Sequence, residues 1–407
     1  MSGGDSFLNL TEVSKLLEFA RAAADSDIGF GSLDINGRVD HSTPVSTLIT
    51  ARMTFCFATA VQLGSAKDLP LVERGIHALA NELRDQEFGG FRTSLSMDFQ
   101  SNKKRAYETC FVLLAASASH AVGVEGAKEV AKEAQRCIQD HFWDEELGIL
   151  RDSFDTSFQQ PEPYFGANAN MHAVEALMAA AQVLGDRTLV NKAARIADFM
   201  INRQARFENW MLPEHFSQTG EPMLDYNVGF PGHEFRPYGV TIGHLFEWSR
   251  LLVELDSIAE DSEDWRLEAA ACLYQVAKSK GWAADGREGF LYTINWRGQP
   301  VVRTRPHWVL AEAIATSGAL RHLETIPGAS SDLEHWQSFA SDHFRDSERG
   351  GWHHELDPEN RPSYTMWLGK PDIYHTLQAM LIPQLPFGAS LSSRIQNIKG
   401  DISWPTK

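Results

Sequence analysis

Six short turn-rich segments recur along this chain at nearly even spacing, and that rhythm constrains the fold more than any other feature. They run Ile28 to Gly37, Phe88 to Asp98, Leu147 to Asp152, Asn209 to Gly220, Gly286 to Tyr292 and Gly350 to Asp357. Most set one or two glycines beside an aromatic or aliphatic residue and then a polar turn, as a short hairpin does. Successive segments lie about 60 residues apart, except for the fourth interval, which is nearer 80 and holds Pro222 to Gly239. Roughly 60 residues is room for two helices of about 15 residues with their connections.

Apolar periodicity fills the intervals with such helices. The first six are Thr11 to Ala24, Thr43 to Leu63, Pro70 to Asp85, Lys104 to Ala121, Val124 to Phe142 and Ala169 to Leu184. The second six are Thr188 to Arg203, His244 to Ala259, Asp264 to Lys280, Pro306 to Leu323, Ser331 to Phe344 and Pro371 to Ile382. Each hairpin falls between the two helices of one pair. Such units bury their apolar faces only against their neighbours. The pattern predicts an all-α fold, an (α/α)6 barrel of inner and outer helices forming a single domain over residues 1–407, with the hairpins at one mouth. A linear solenoid is the alternative, but it needs polar end caps that the sequence does not offer. At the mouth of a ring, ligand groups gather on helix ends, and Pro222 to Gly239 forms a lid or wall.

Composition narrows the function. With 43% hydrophobic and 10% aromatic residues the chain can fill a large core. A formal charge of -17 argues against a nucleic-acid partner. Met1 to Ser6 has neither a basic nor an apolar region, so no signal peptide is expected. No apolar run approaches the roughly 18 residues of a membrane span. Cys56, Cys110, Cys137 and Cys272 are scattered and read as reduced core residues of a cytoplasmic protein. Eleven tryptophans serve either as platforms for sugars or bases or as packing between helices.

The chain lacks a G-x-G-x-x-G after a strand, a Walker A loop, a G-x-S-x-G elbow and an H-E-x-x-H. His353-His354-Glu355 resembles a metal cluster, but adjacent strand residues point to opposite faces, so no metal is expected there. The positive signal is a set of polar residues within otherwise apolar helices. His244 and Glu247 stand three apart at a helix start, where they can share a proton, orient each other on a substrate, or form a surface ion pair. Arg52 sits in Thr50-Ala-Arg-Met-Thr-Phe-Cys-Phe and needs acceptors if buried, in a ligand or in an internal salt bridge. His172 and His375 lie near the starts of comparable helices. Arg52, His172, His244 and His375 all fall on the helix that follows a hairpin. Two imidazoles facing one pocket can move a proton off and onto carbon beside a carbonyl near neutral pH, with Arg52 holding the enediolate oxygen.

These residues belong together in a further way. The T-A-R-M around Arg52, Tyr107, the N-x-N-M-H of Asn168 to His172, the G-H-L-F-E-W of Gly243 to Trp248, Trp308 and Glu312 in H-W-V-L-A-E, and Tyr374-His375 resemble the N-acylglucosamine 2-epimerase superfamily, from about Thr43 to Pro383. The resemblance implies an (α/α)6 barrel and cofactor-free, metal-free proton transfer through a cis-enediol(ate). It makes His375 the base at C2 and His244 the partner acid/base, with His172 and Glu247 assisting ring opening. Arg52 would hold the sugar oxygens, Trp308 would be a sugar platform, and Tyr107, Asn168 and Glu312 would complete the substrate site. Where the cellobiose epimerases carry a tryptophan, Lys370 stands, and Lys370-Pro-Asp-Ile-Tyr-His is similar to the mannose and sulfoquinovose isomerases. Lys370 would then pair with a sulfonate or stand solvated at a helix start. The function implied is isomerisation between D-mannose and D-fructose, with 2-epimerisation and sulfoquinovose isomerisation as alternatives. A glycosidase using Glu247 and Glu312, and a protein-binding helical scaffold, are the other classes. The expected partner is a monosaccharide, and an oligomer is possible.

Overall fold

Small and apolar residues all around the circumference separate the inner helices from the outer ones. The computed structural model describes residues 9–96, 103–261, 263–321, 323, 326–398 and 404–405; Met1 to Ser6 and the end of the second hairpin at Asp98 lie outside the described residues. The helices are α1 (Leu10–Ala20), α2 (Thr47–Gln62), α3 (Leu69–Ala80), α4 (Ala106–Ala121), α5 (Ala127–Cys137), α6 (Ala167–Leu184) and α7 (Thr188–Ala197). They continue with α8 (Ile242–Asp256), α9 (Trp265–Gly281), α10 (His307–Leu320), α11 (Ala329–Phe339), α12 (Tyr374–Leu381) and α13 (Leu391–Gln396).

The expected helices all form. In α6, the run Ala169 to Ala181 is buried without interruption, which an amphipathic surface helix never shows. In α5, by contrast, only Ala127, Val130, Ala131, Ala134 and Cys137 are buried, a stripe at helical spacing with lysines and glutamates opposite. Packing follows the rule that neighbours cover one another: α2 on α4, α4 on α6, α6 on α8, α8 on α10, α10 on α12, and α12 back on α2. The ring is closed, and the linear alternative is set aside. Outer helices α5, α7 and α11 run on as wide π turns over residues 138–142, 198–205 and 340–344. The start of α2 moves from Thr43 to Thr47 because Ser46 caps it, accepting from the Ile49 amide.

The hairpins form, and they also pair between repeats, which the sequence did not suggest. Ser46 bridges Ser94, Lys104–Arg105 pairs with Ser153–Phe154, and Tyr164–Gly166 with His215–Ser217. Val240–Thr241 pairs with Thr293–Ile294, and Arg305–Pro306 with Glu355–Leu356. The Lys370 amide donates to Leu33 O at 2.8 Å and completes the circuit. Each residue run leading into an inner helix is thus tied to the next repeat's loop. These ties fix the N-terminal ends of all six inner helices around one mouth. Helix α13 was not anticipated; it lies at the opposite floor, where Ser390 reaches Gln182 and Ser392 reaches Gln62 at the far ends of α6 and α2.

Candidate active site

The mouth opens into a cavity of about 640 Å³ whose walls include Arg52, Tyr107, Asn168, His172, His244, Glu247, Trp308 and His375. Every one of them sits in the first turns of an inner helix, because the inter-repeat ties aim those ends inward. Gly243 shows how tight the arrangement is: a Cβ there would lie 2.2 Å from Cζ3 of Trp308. The indole lies across the backbone of α8 and touches both key imidazoles. Its ring centre is 5.3 Å from that of His244 and 5.9 Å from that of His375, at tilts of 36° and 37°.

Each imidazole is held from behind by a carboxylate. His375 Nδ1 lies 2.7 Å from Glu312 Oε1, and His244 Nδ1 lies 2.9 Å from both oxygens of Glu214. A carboxylate partner fixes the proton on Nδ1 and leaves Nε2 as the lone-pair nitrogen. Burial, together with the charges of Arg52, His307 and His172, pushes the His375 imidazolium well below the usual range. The charge of Asp372 opposes this, but a buried ring beside Arg52 stays neutral, and a neutral ring is ready to accept a proton.

The third histidine has a different setting. His172 Nδ1 is 3.5 Å from Glu175 and 3.6 Å from Glu247, and burial lowers its pKa too. Both Glu247 oxygens are buried without a hydrogen-bond partner. Burial, then the nearby charges of Glu312 and Glu175, raise Glu247 well above the ordinary carboxyl value, so it stands as a protonated acid at the cavity wall. Arg52 keeps its charge at any ordinary pH, with Nη1 donating to Asp372 at 3.1 Å and Nη2 to the Tyr107 hydroxyl at 2.9 Å. Its guanidinium carbon lies 4.5 Å from the ring centre of Phe111.

Three sequence expectations need correction. His244 and Glu247 share a helix but not a proton: His244 turns to Glu214 and Glu247 to His172, and neither is at the surface. Glu312 is fully buried behind His375 and is bonded to Arg250 at 3.1 Å, so it backs the site and does not line the cavity. Lys370 is neither solvated nor available to a sulfonate. Its ammonium is buried, donating to Asp346 at 2.7 Å and to Gly350 O at 2.8 Å. The same brace holds the second hairpin, where Lys104 donates to Asp85 at 2.6 Å and Gly89 O at 2.9 Å. His353 and His354 do diverge, His353 to the Tyr364 hydroxyl and His354 onto the ring of His307, 3.7 Å between centres.

Several participants were not foreseen. Glu214, Glu175, Asp372, Arg250 and His307 all touch the groups above, and Glu234 and Phe235 bring the 222–239 segment into the cavity wall. Among the described residues, two groups of ligand-type atoms lie within 4.8 Å of one another, His172/Glu175/Glu247 and Glu247/Glu312/His375. Arg250, 3.1 Å from Glu312 and 3.9 Å from Glu247, already supplies a cation to the second. No helix among the described residues is long and apolar enough to cross a membrane.

Comparison with known proteins bears on the family and the fold. The family model described as N-acylglucosamine 2-epimerase (GlcNAc 2-epimerase) matches residues 29–379. A D-mannose isomerase of Thermobifida fusca is 40% identical over 390 residues, 95% of this chain and 96% of that one. One of Pseudomonas cannabina pv. alisalensis is 39% identical over 395 residues, 95% of this chain and 94% of its own. Among solved structures, a crystal structure of a D-mannose isomerase superposes with a TM-score of 0.85 at 26% identity, covering 94% of this chain and 99% of that one.

Proposed function

The chain belongs to the N-acylglucosamine 2-epimerase family, and from that premise we propose that it is an aldose–ketose isomerase interconverting D-mannose and D-fructose. The observation that carries the reading is the pair of carboxylate-backed imidazoles that share one cavity wall with the Trp308 indole. The names of its relatives supply the sugar.

The chemistry follows from the protonation states. Mannose enters as a ring, and Glu247, a neutral acid beside a neutral His172, gives a proton to the ring oxygen while His172 takes one from the C1 hydroxyl. The open aldehyde then presents its C2–H to Nε2 of His375. Removing that proton leaves a cis-enediolate whose charge falls on O1, where the fixed charge of Arg52 offsets it. Returning the proton from His375 to C1 while O2 passes its own proton to O1 gives the neutral ketose. Glu312 lets His375 carry the transferred proton, because an imidazolium bonded to a carboxylate is tolerated in a buried site. His244 is the second acid/base, and Trp308 lies under the sugar carbons as an apolar floor.

Incubation of the protein with D-mannose in deuterium oxide tests this. Fructose is the expected first product, with deuterium at its C1, and at C2 of the mannose re-formed from the enediolate, and with the same outcome with and without chelator. His375→Ala is expected to lose both turnover and exchange; exchange retained in that variant removes the proposed base. A second reading has its own support. His244 lines the same cavity as His375 with its own carboxylate partner, and a second acid/base there is suited to returning the proton to the opposite face of C2, which is 2-epimerisation. Glucose ahead of fructose at early times would select it.

A further inference from the structure

A line of buried charges runs from the barrel floor to the mouth. Arg394, on α13, donates from Nη2 to Glu254 Oε1 at 2.8 Å. The other Glu254 oxygen accepts from Arg250 Nη1 at 3.2 Å. Arg250 Nη2 reaches Glu312 Oε2 at 3.1 Å, and Glu312 Oε1 accepts from His375 Nδ1 at 2.7 Å. Arg394, Glu254, Arg250 and Glu312 are each no more than 3% exposed.

Stability alone does not account for this. Taking four charges out of water is costly, and apolar side chains of similar volume often serve a floor as well or better. The arrangement does something apolar packing does not. Glu247 and Glu312 have carboxylate oxygens within 4.8 Å of each other, too close for both to ionise freely in a dry interior. Arg250 stands between them, 3.1 Å from Glu312 and 3.9 Å from Glu247. It does not line the cavity, so it acts on substrate only through its neighbours.

Resting on the reading of His375 as the base, we infer that Arg250 is a positioning residue that assigns the negative charge of this carboxylate pair to Glu312 and leaves the proton on Glu247. Glu254 and Arg394 brace Arg250 from below and so connect α13 to the reacting nitrogen. With the charge on Glu312, His375 carries its proton on Nδ1 and points a lone pair at C2. With the charge on Glu247, the base loses its tautomer and the ring-opening acid loses its proton in one step.

The test uses whole protein labelled with ¹⁵N-histidine, and its first readout needs no sugar. The hydrogen-bonded Nδ1 proton of His375 is identified by its absence in His375→Asn, and then followed in Arg250→Met, Arg250→Lys and Glu254→Gln. Arg250→Met is expected to abolish that proton signal and mix the tautomers, with Arg250→Lys restoring most of it. Turnover of mannose should fall in Arg250→Met at least about tenfold in kcat, with KM within about twofold and the acid limb of the pH profile displaced. Arg266→Met is the control for stability loss, since Arg266 is equally buried but pairs with Asp261 on the outer layer. A folded Arg250→Met that keeps the proton signal and the tautomer overturns the inference. Should Arg250→Met not fold, Glu254→Gln is read the same way, and an unchanged signal there overturns it too. Failure of the wild-type protein to turn over mannose, with the tautomer shift intact, sinks the isomerase reading and leaves the role of Arg250 standing.

Discussion

His375 and His244 are each backed at Nδ1 by a buried carboxylate, yet one carboxylate comes from a helix and the other from a loop. Glu312 is on α10, one helix away from His375 in the ring, and is itself held by Arg250. Glu214 sits in the coil just before the His215–Ser217 strand, tied by its carbonyl to the Ala167 amide at the start of α6. Its carboxylate pairs with His244. The difference matches the two tasks proposed. Taking a proton from carbon demands a base fixed in tautomer and direction, whereas delivering one to oxygen or carbon tolerates a partner set by a loop.

The sharpest way to break this asymmetry is to exchange each ring for asparagine. His375→Asn is expected to lower kcat by about 10³–10⁴ and remove deuterium exchange at C2, while His244→Asn loses about 10² and retains slow exchange. Equal losses, measured by product formation and by NMR of the sugar, would mean the two histidines are interchangeable. Next in size are the carboxylates. Glu312→Gln should cost roughly 10² in kcat and Glu214→Gln nearer tenfold, because only the former ends a braced chain; the reverse order would place the critical brace on the loop.

The buried histidines of the mouth also set a pH dependence. Burial lowers the pKa of His172, His307, His354 and His375, His307 to about 4. The unfolded chain, with histidines near 6.5, binds more protons than the folded one in this window. Their stabilising contribution is therefore complete above roughly pH 6.5 and is lost as pH falls towards about 4. Thermal midpoints measured across that range should fall on the acid side, and His354→Asn, which removes one of the four, should flatten the slope. The smallest effect on chemistry is expected from Lys370→Met. It strands Asp346 and costs about 3 kcal/mol of stability, seen by calorimetry, while KM for mannose stays unchanged. A raised KM would return Lys370 to the sugar.

Lys370 shows what the sequence could and could not say. Its place before the last helix is visible, but its partner Asp346 is brought beside it only by a hairpin. A signal existed: Asp85 with Gly89-Gly90 and a lysine before α4 repeats as Asp346 with Gly350-Gly351 and a lysine before α12. The inner helices were legible because full burial leaves an uninterrupted apolar pattern, and Arg52, His172, His244 and His375 stood out against it. Glu214 left no trace, lying in the short coil over residues 211–214 with no periodicity to violate. Helix α13 is six residues long, too short for a helical stripe, and the inter-repeat strands are two or three residues, too short for alternation.

The link between Lys370 and Leu33 is where the first repeat meets the last. Arg52 and Asp372, 320 positions apart in the chain, bond across that same seam, so the group expected to hold the enediolate and the loop leading to the base come from opposite ends of the polypeptide. Contacts at such separation carry the largest loop-closure cost and form late. A ribosome-bound chain lacking its final sixth therefore has most of its helices but no usable catalytic pocket, and the emerging enzyme stays silent towards sugar until its two ends are stitched together.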